Sequence, residues 1–373
     1  MSDPVSEPDL EPVATPARST SAAPLPRTWS EPTAGQRVRR ALSFRNAAAL
    51  YLFAVMFAAF ALWVPDTFLT WGTWRSLLSD QAITCLVAVG LVVPIAAGVL
   101  DLAVGTEVGL GAILVAWLLV DQHVGAPLAI VVTLLAGAGV GVLSWLMITR
   151  VRIPSFIATL GISSVLTAVI AWVSHGEQIL NLPTGFSHIG SNELFGLQYP
   201  FYVVLVVAVV VWYVLERTAA GRRVYATGGN AEAARLAGVR TSRVILCSLI
   251  ACGVIAGLAG LLESSQLSSG DPTTGPGFLL PVIAAVFLGS TQFRGGRMNV
   301  WGTVVAAYVL ATGVKGLQLG GAPVWIPDLF NGAALLLAVG LAQWRRTPTA
   351  RGQAILRLLG GGRALATPAP GSN

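Results

Sequence analysis

The chain has 373 residues, 54% of them hydrophobic and 11% charged, with a formal net charge of +6. Soluble domains carry about 25% charged residues, so most of this chain does not face water. A soluble globular class is excluded, and the positive charge belongs to membrane topology rather than to a nucleic-acid partner.

Residues 1–44 are rich in Pro, Ser, Thr and Ala with interspersed charge. Such a segment is too polar to bury a core and is expected to be a disordered cytoplasmic tail. No short apolar stretch ending in a cleavage site precedes the first long apolar run, so no cleaved signal peptide is expected. Ten apolar stretches follow at about 46–64, 78–98, 104–120, 127–148, 153–174, 200–215, 244–263, 278–291, 300–318 and 327–343. A run of about 20 apolar residues crosses a ~30 Å hydrocarbon core as a helix. The eighth stretch is too short to span upright and follows "SSGDPTTGPG", which predicts a half-helix or re-entrant element. The sequence therefore predicts an all-α, polytopic membrane protein with about ten transmembrane or half-membrane helices. Its transmembrane domain covers residues 45–344, and a basic cytoplasmic tail covers 345–373.

Orientation follows from the basic residues. With the N-terminus inside, all but Arg75 and Lys315 of the 23 lysines and arginines lie on the cytoplasmic side. They sit in the two tails, in the loop holding Arg150 and Arg152, in the loop from Arg217 to Arg243, and at Arg294 and Arg297. That asymmetry is the positive-inside pattern, and it places both termini in the cytoplasm.

Cys85, Cys247 and Cys252 fall inside apolar runs without metal or disulfide spacing, and His123, His175 and His188 are scattered near segment ends. They read as packing residues and isolated polar groups, so no metal site is expected. The chain contains no GxxxxGK[ST] loop, HExxH motif or nucleophile elbow, so neither catalysis nor a bound cofactor is expected.

One loop stands apart from its apolar surroundings: "YATGGNAEAARLAGVRTSRV", Tyr225 to Val244. Asn230 suits a helix N-cap and Gly238 the left-handed stop at a helix end. Glu232 lies at the positive end of this short helix and Arg235 one turn later. Ala231, Ala233, Ala234 and Ala237 share one side, and Glu232, Arg235 and Leu236 the other. A smooth alanine face with a charged edge suits docking to a partner, and a solvated helical connector accounts for the same residues.

Polar residues inside the apolar stretches are the other candidates. Asp101 lies at the junction of the second and third crossings, flanked only by apolar residues. A carboxylate at that depth is costly, so it faces a cavity or partner, or it caps the third crossing. Glu107 lies six residues on, beside Gly105, Gly109 and Gly111, which favour close helix approach. Lys315, Gln318 and Asn331 are placed in the last two crossings, where they line the same cavity or serve helix–helix hydrogen bonding and snorkelling.

Four segments resemble the permease subunits of ABC importers for simple sugars of the ribose, xylose and galactose type. "GGNAEAARLAGV" resembles that family's cytoplasmic coupling loop, with Gly228, Gly229, Asn230, Ala233, Ala234, Gly238 and Val239 matching. "RVRIPSFIATLGISSV", "AAVFLGSTQFRGGRMNVWGT" and "AAGVLDLAVGTEVGLGA" resemble three further family segments, in the right order. Departures fall at Val99, Leu100, Ala103, Ser290 and Met298; Ala103 replaces a family serine, which bears on the cargo.

The resemblance implies a multi-pass protein of the bacterial plasma membrane that moves a monosaccharide or similar small polyol. It implies an ABC ATPase held at Gly228, Gly229, Asn230, Glu232, Ala233, Ala234, Arg235 and Gly238. It also implies a second permease subunit, identical or not, and an extracytoplasmic sugar-binding protein. The translocation pathway is expected at Asp101, Glu107, Lys315, Gln318 and Asn331. An ion-coupled secondary transporter of a small polar solute is the alternative, although such a carrier has no need of the capped loop helix.

Overall fold

The computed structural model describes residues 48–291 and 296–346. The two expected tails and Arg294 lie outside these residues, except that Arg345 and Arg346 close the final helix.

Four helices open the fold: α1 (Ala48–Trp63), α2 (Pro65–Phe68), α3 (Trp71–Asp80) and α4 (Ala82–Ala96). Thr70 caps α3 by accepting from Thr73 N–H at 3.3 Å. α3 and α4 follow one another with a bend of 41°, as in a broken span or a re-entrant element. The hinge between α1 and α3 is packed with aromatic rings, Phe68 meeting Trp74 edge-on at 5.3 Å.

Next come α5 (Val104–Val120), α6 (Ala126–Trp145) and α7 (Ser155–Ser174). α6 ends in a π-turn, Leu146–Val151, and Arg152 takes a left-handed conformation at φ 66° before Pro154 starts α7. The segment "RVRIP" is therefore a tight, basic reversal between two spans.

The connection from α7 to the next span is structured, which the sequence reading left open. It contains α8 (Thr184–Ser191) and a two-residue hairpin of β1 (Glu193–Leu194) and β2 (Leu197–Gln198). Ser265 pins α8, its hydroxyl accepting from Gly190 N–H and donating to Phe186 C=O, each at 2.7 Å. Arg75 pairs with Glu193 across the hairpin.

Three helices follow: α9 (Tyr199–Arg217), α10 (Ala219–Gly229) and α11 (Ala231–Leu236). The long α12 (Thr241–Leu267) then returns through the core and packs on α4, α5 and α6. These contacts are as close as backbone allows. A Cβ on Gly253 would collide with the Gly137 carbonyl, and one on Gly111 would lie 2.8 Å from the Gly257 carbonyl. Without a hydrophobic drive between helices in lipid, such small-residue contacts supply the packing.

The chain ends with α13 (Thr274–Gly277), α14 (Leu279–Ser290), α15 (Val300–Leu319) and α16 (Ile326–Arg346). α14 has 12 residues, in keeping with the half-helix expected there. Among the described residues five helices are long and apolar enough to cross a membrane, α3 with α4 makes a sixth if the pair is one span, and shorter apolar helices supply four more. All ten expected apolar segments are helices. Their boundaries shift by a few residues, as is normal at helix ends.

Candidate functional site

The first candidate is the break between α4 and α5. Pro94 lies inside the last turn of α4 and cannot donate a helical hydrogen bond. Gly98 then turns the chain at φ 85°, a conformation that disfavours other residues. Backbone carbonyls of α4 accept from Ala97, Gly98 and Val99, and side chains meet two further N–H groups. Asp101 Oδ1 accepts from Ala103 N–H at 3.0 Å, and Thr159 Oγ1 of α7 accepts from Leu102 N–H at 3.1 Å. Thr106 Oγ1 donates to the Ala103 carbonyl at 2.8 Å and lies 3.1 Å from Ser163 Oγ of α7, whose hydroxyl can donate to it. The cap on α5 expected of Asp101 does not form: its bond goes to Ala103, which precedes the helix, and α5 has no side-chain cap. Nothing in "IPSFIATLGISSV" signals that Thr159 and Ser163 serve this distant segment.

Two acids meet at this break. Asp101 is fully buried and Glu107, in the first turn of α5, is 2% exposed. Asp101 Oδ2 and both Glu107 oxygens have no hydrogen-bond partner, and no ion pair among the described residues reaches either acid. Their ligand atoms and the Cys252 thiol of α12 lie within 4.8 Å of one another. These three side chains are where a cation would find two oxygens and a sulfur. The expected glycines do bring helices together here, since a Cβ on Gly105 would lie 2.8 Å from the Gly275 carbonyl of α13.

The structure does not gather the remaining expected pathway residues at this break. Lys315 Nζ lies 3.4 Å from Asp80 Oδ2 at the end of α3, because its long stem reaches out to the nearest acid. Gln318 is exposed. Asn331 is buried and lines a separate cavity of about 270 Å³ with Gln81, Thr84 and Thr274. Neither Asp101 nor Glu107 lines that cavity. Spacing along separate helices could not reveal this, because each residue's facing depends on helix rotation.

The second candidate is the loop of α10 and α11. Asn230 caps α11 as expected, Oδ1 accepting from Ala233 N–H at 3.0 Å, and Gly238 stops it at φ 85°. Val239 N–H then bonds back to the Ala234 carbonyl at 2.9 Å, and Arg235 pairs with Glu232 at 2.6 Å. Ala231, Glu232, Ala233, Arg235 and Ala237 are exposed, and Leu236 is 81% exposed. Ala234 differs from its neighbours on the alanine face: it is 6% exposed, buried against this chain's own fold. The free surface is therefore narrower than the alanine pattern suggested.

The preceding segment, expected as loop, is the helix α10. Its cap is Thr218, which accepts from Gly221 N–H at 3.4 Å, and Tyr225 of α10 donates to the Met298 carbonyl at 2.8 Å. Gly228 and Gly229 form its last residues. A Cβ on Gly228 would collide with the Ala96 carbonyl, and one on Gly98 would lie 3.1 Å from Gly228 Cα. The loop thus rests directly on the break. In the neighbouring turn, Asn299 caps α15 by accepting from Gly302 N–H at 2.6 Å and donates to the Gly289 carbonyl of α14 at 3.1 Å.

Residues 73–339 match a family described as branched-chain amino acid transport system / permease component. The L-arabinose ABC transporter permease protein AraH of Azospirillum brasilense is 33% identical over 79% of this chain and 86% of its own. The ribose import permease protein RbsC of Bacillus subtilis is 35% identical over 71% and 82%, respectively. The autoinducer 2 import system permease protein LsrC of Yersinia enterocolitica is 30% identical over 78% and 81%. No solved structure matches.

Proposed function

Because the chain belongs to the branched-chain amino acid transport permease family, we propose that it is the membrane-spanning subunit of an ATP-driven importer, with a monosaccharide or similar small polyol as cargo. The relatives named for arabinose and ribose support a small, hydroxyl-rich cargo. The observation that carries the mechanism is the contact of Gly228 with Ala96 and Gly98. It joins an exposed, doubly capped helix to the turn between α4 and α5.

The mechanism follows from that contact. The ATPase subunit binds the exposed edge of α11 in the cytoplasm, with Glu232, Arg235 and Leu236 fixing register. Closure of the ATPase moves α11 and, through Asn230, the end of α10. Gly228 bears on the break, where Asp101 and Thr159 hold the freed backbone of residues 102 and 103. α4 and α5 are joined there by a short turn and not by continuous helix, so movement at the loop alters the spans around α5. A second permease subunit completes the pathway, and an extracytoplasmic binding protein delivers the cargo. Both termini lie in the cytoplasm, supported by the one-sided distribution of arginine.

The test is uptake into vesicles holding the full complex, comparing labelled ribose and arabinose with a branched-chain amino acid. ATP-dependent uptake of a pentose is expected. Uptake that persists without ATP, or that is confined to the amino acid, would overturn this reading.

A further inference from the structure

A long apolar cleft of about 610 Å³ opens between α9 and α12, floored by α4 and closed at one end by α10. Val206, Val210 and Val214 of α9 face Cys247, Ala251 and Val254 of α12 across it. At the α10 end the lining changes abruptly to Arg223 and Arg243. The same two arginines line a second cavity of about 510 Å³, together with Arg240 and the chain from Ala237 to Val239. No acidic residue lines either cavity, and none of the three arginines has an ion-pair partner among the described residues. All three are exposed.

We propose that this cleft and its basic mouth bind one anionic phospholipid, the acyl chain against the valines and the phosphate on Arg223, Arg243 and Arg240. Charge and shape point to the same occupant. From Arg243 to Leu258 the α12 wall runs about 22 Å at 1.5 Å per residue, more than the ~15 Å hydrocarbon depth of one leaflet. An acyl chain entering at the arginines therefore stays within the apolar wall. A free phosphate satisfies the arginines and leaves the apolar wall unused. Arginine forks grip phosphate oxygens in two-point hydrogen bonds, and basic pockets at the cytoplasmic ends of membrane helices suit anionic headgroups. The lipid would sit between α9 and α12, directly beneath α10, and so would steady the helix that rests on the break.

Cys247 reports occupancy, since it lines the cleft and is exposed whereas Cys85 and Cys252 are buried. The full-length chain, in its complex, is reconstituted in phosphatidylcholine bilayers with or without phosphatidylglycerol of the same chain length. Alkylation of Cys247 by a lipid-soluble maleimide is then timed. Phosphatidylglycerol is expected to slow the reaction, and glycerol phosphate in solution to leave it unchanged. Arg223→Gln and Arg243→Gln should each weaken the protecting lipid about five-fold, and Arg75→Gln, elsewhere in the fold, should not. Equal rates in the two bilayers would overturn the proposal. So would protection by glycerol phosphate alone, which marks an anion site, or a Cys247–Cys247 cross-link between copies, which marks a protein interface.

Discussion

The break around Asp101 and the loop helix α11 are both short and both carry acidic side chains, yet they are built in opposite ways. At α11 the caps are local: Asn230 bonds three residues ahead, and Gly238 follows the last turn. At the break the freed backbone of Leu102 depends on Thr159, 57 residues away on α7. The loop presents its charges to water as an ion pair, while the break buries two acids, Glu107 with neither oxygen partnered and Asp101 with one. A locally made element is free to be moved as a unit, and an element made by its neighbours responds when they move. The two meet at Gly228, so substitutions ought to separate a part that receives force from a part that yields to it.

The largest effect is expected where they touch. Gly228→Val forces a branched side chain into the Ala96 carbonyl, an overpacking that costs about 1–3 kcal/mol. ATP turnover by the complex should survive while cargo uptake falls; equal loss of both would show that the contact serves folding and not transmission. Thr159→Val keeps the shape of the side chain and leaves the buried Leu102 N–H unpaired, at about 1–3 kcal/mol. A lowered midpoint of thermal unfolding, measured in detergent, checks this, and an unchanged midpoint would mean that the break closes without α7.

Asp101→Ala removes the turn hydrogen bond to Ala103 N–H, worth about 1 kcal/mol net, but also removes a carboxylate oxygen that has no partner. Stability should therefore change little while uptake falls at normal membrane expression. Full uptake would remove Asp101 from the pathway. Asn230→Ala should cost about 1 kcal/mol, confined to α11. Hydrogen exchange should rise in residues 231–236 and remain unchanged at the break; a rise at both would erase the contrast between local and tertiary caps.

The smallest effect on stability belongs to the exposed face. Ala233→Trp and Glu232→Arg lie in water, where substitutions usually stay within about 0.5 kcal/mol. Insertion should be normal, and co-purification of the ATPase should be lost with Ala233→Trp. Retention of both binding and stimulated ATP turnover would show that α11 is only a connector. Ala234 is unsuited to this test because it is already packed inside the chain.

How much was legible depended on how local each determinant is. The ten apolar segments and the short α14 follow from composition and length. So do the caps of α11, since Asn230 and Gly238 act on neighbours in the chain. α10 escaped notice because "AAGRRVYATGG" is half polar and ends in two glycines, and its helix is supported by Tyr225 reaching Met298. The small α8 and its hairpin were equally hidden, being held by Ser265 and Gln266 from α12.

The sequence alone determined that this chain lives in a membrane, because a stretch of about 20 apolar residues has no stable alternative in water. It determined the order of the spans and a capped helix in the arginine-rich loop, since capping and hydropathy act within a few residues. Tertiary structure alone decided which polar residues share a site. Asp101, Glu107 and Cys252 converge, whereas Lys315 turns to Asp80 and Asn331 to another cavity. It also decided that Gly228 sits on Ala96 and Gly98. Helix rotation and crossing are set by side-chain packing between segments far apart in the chain, and no local periodicity records them.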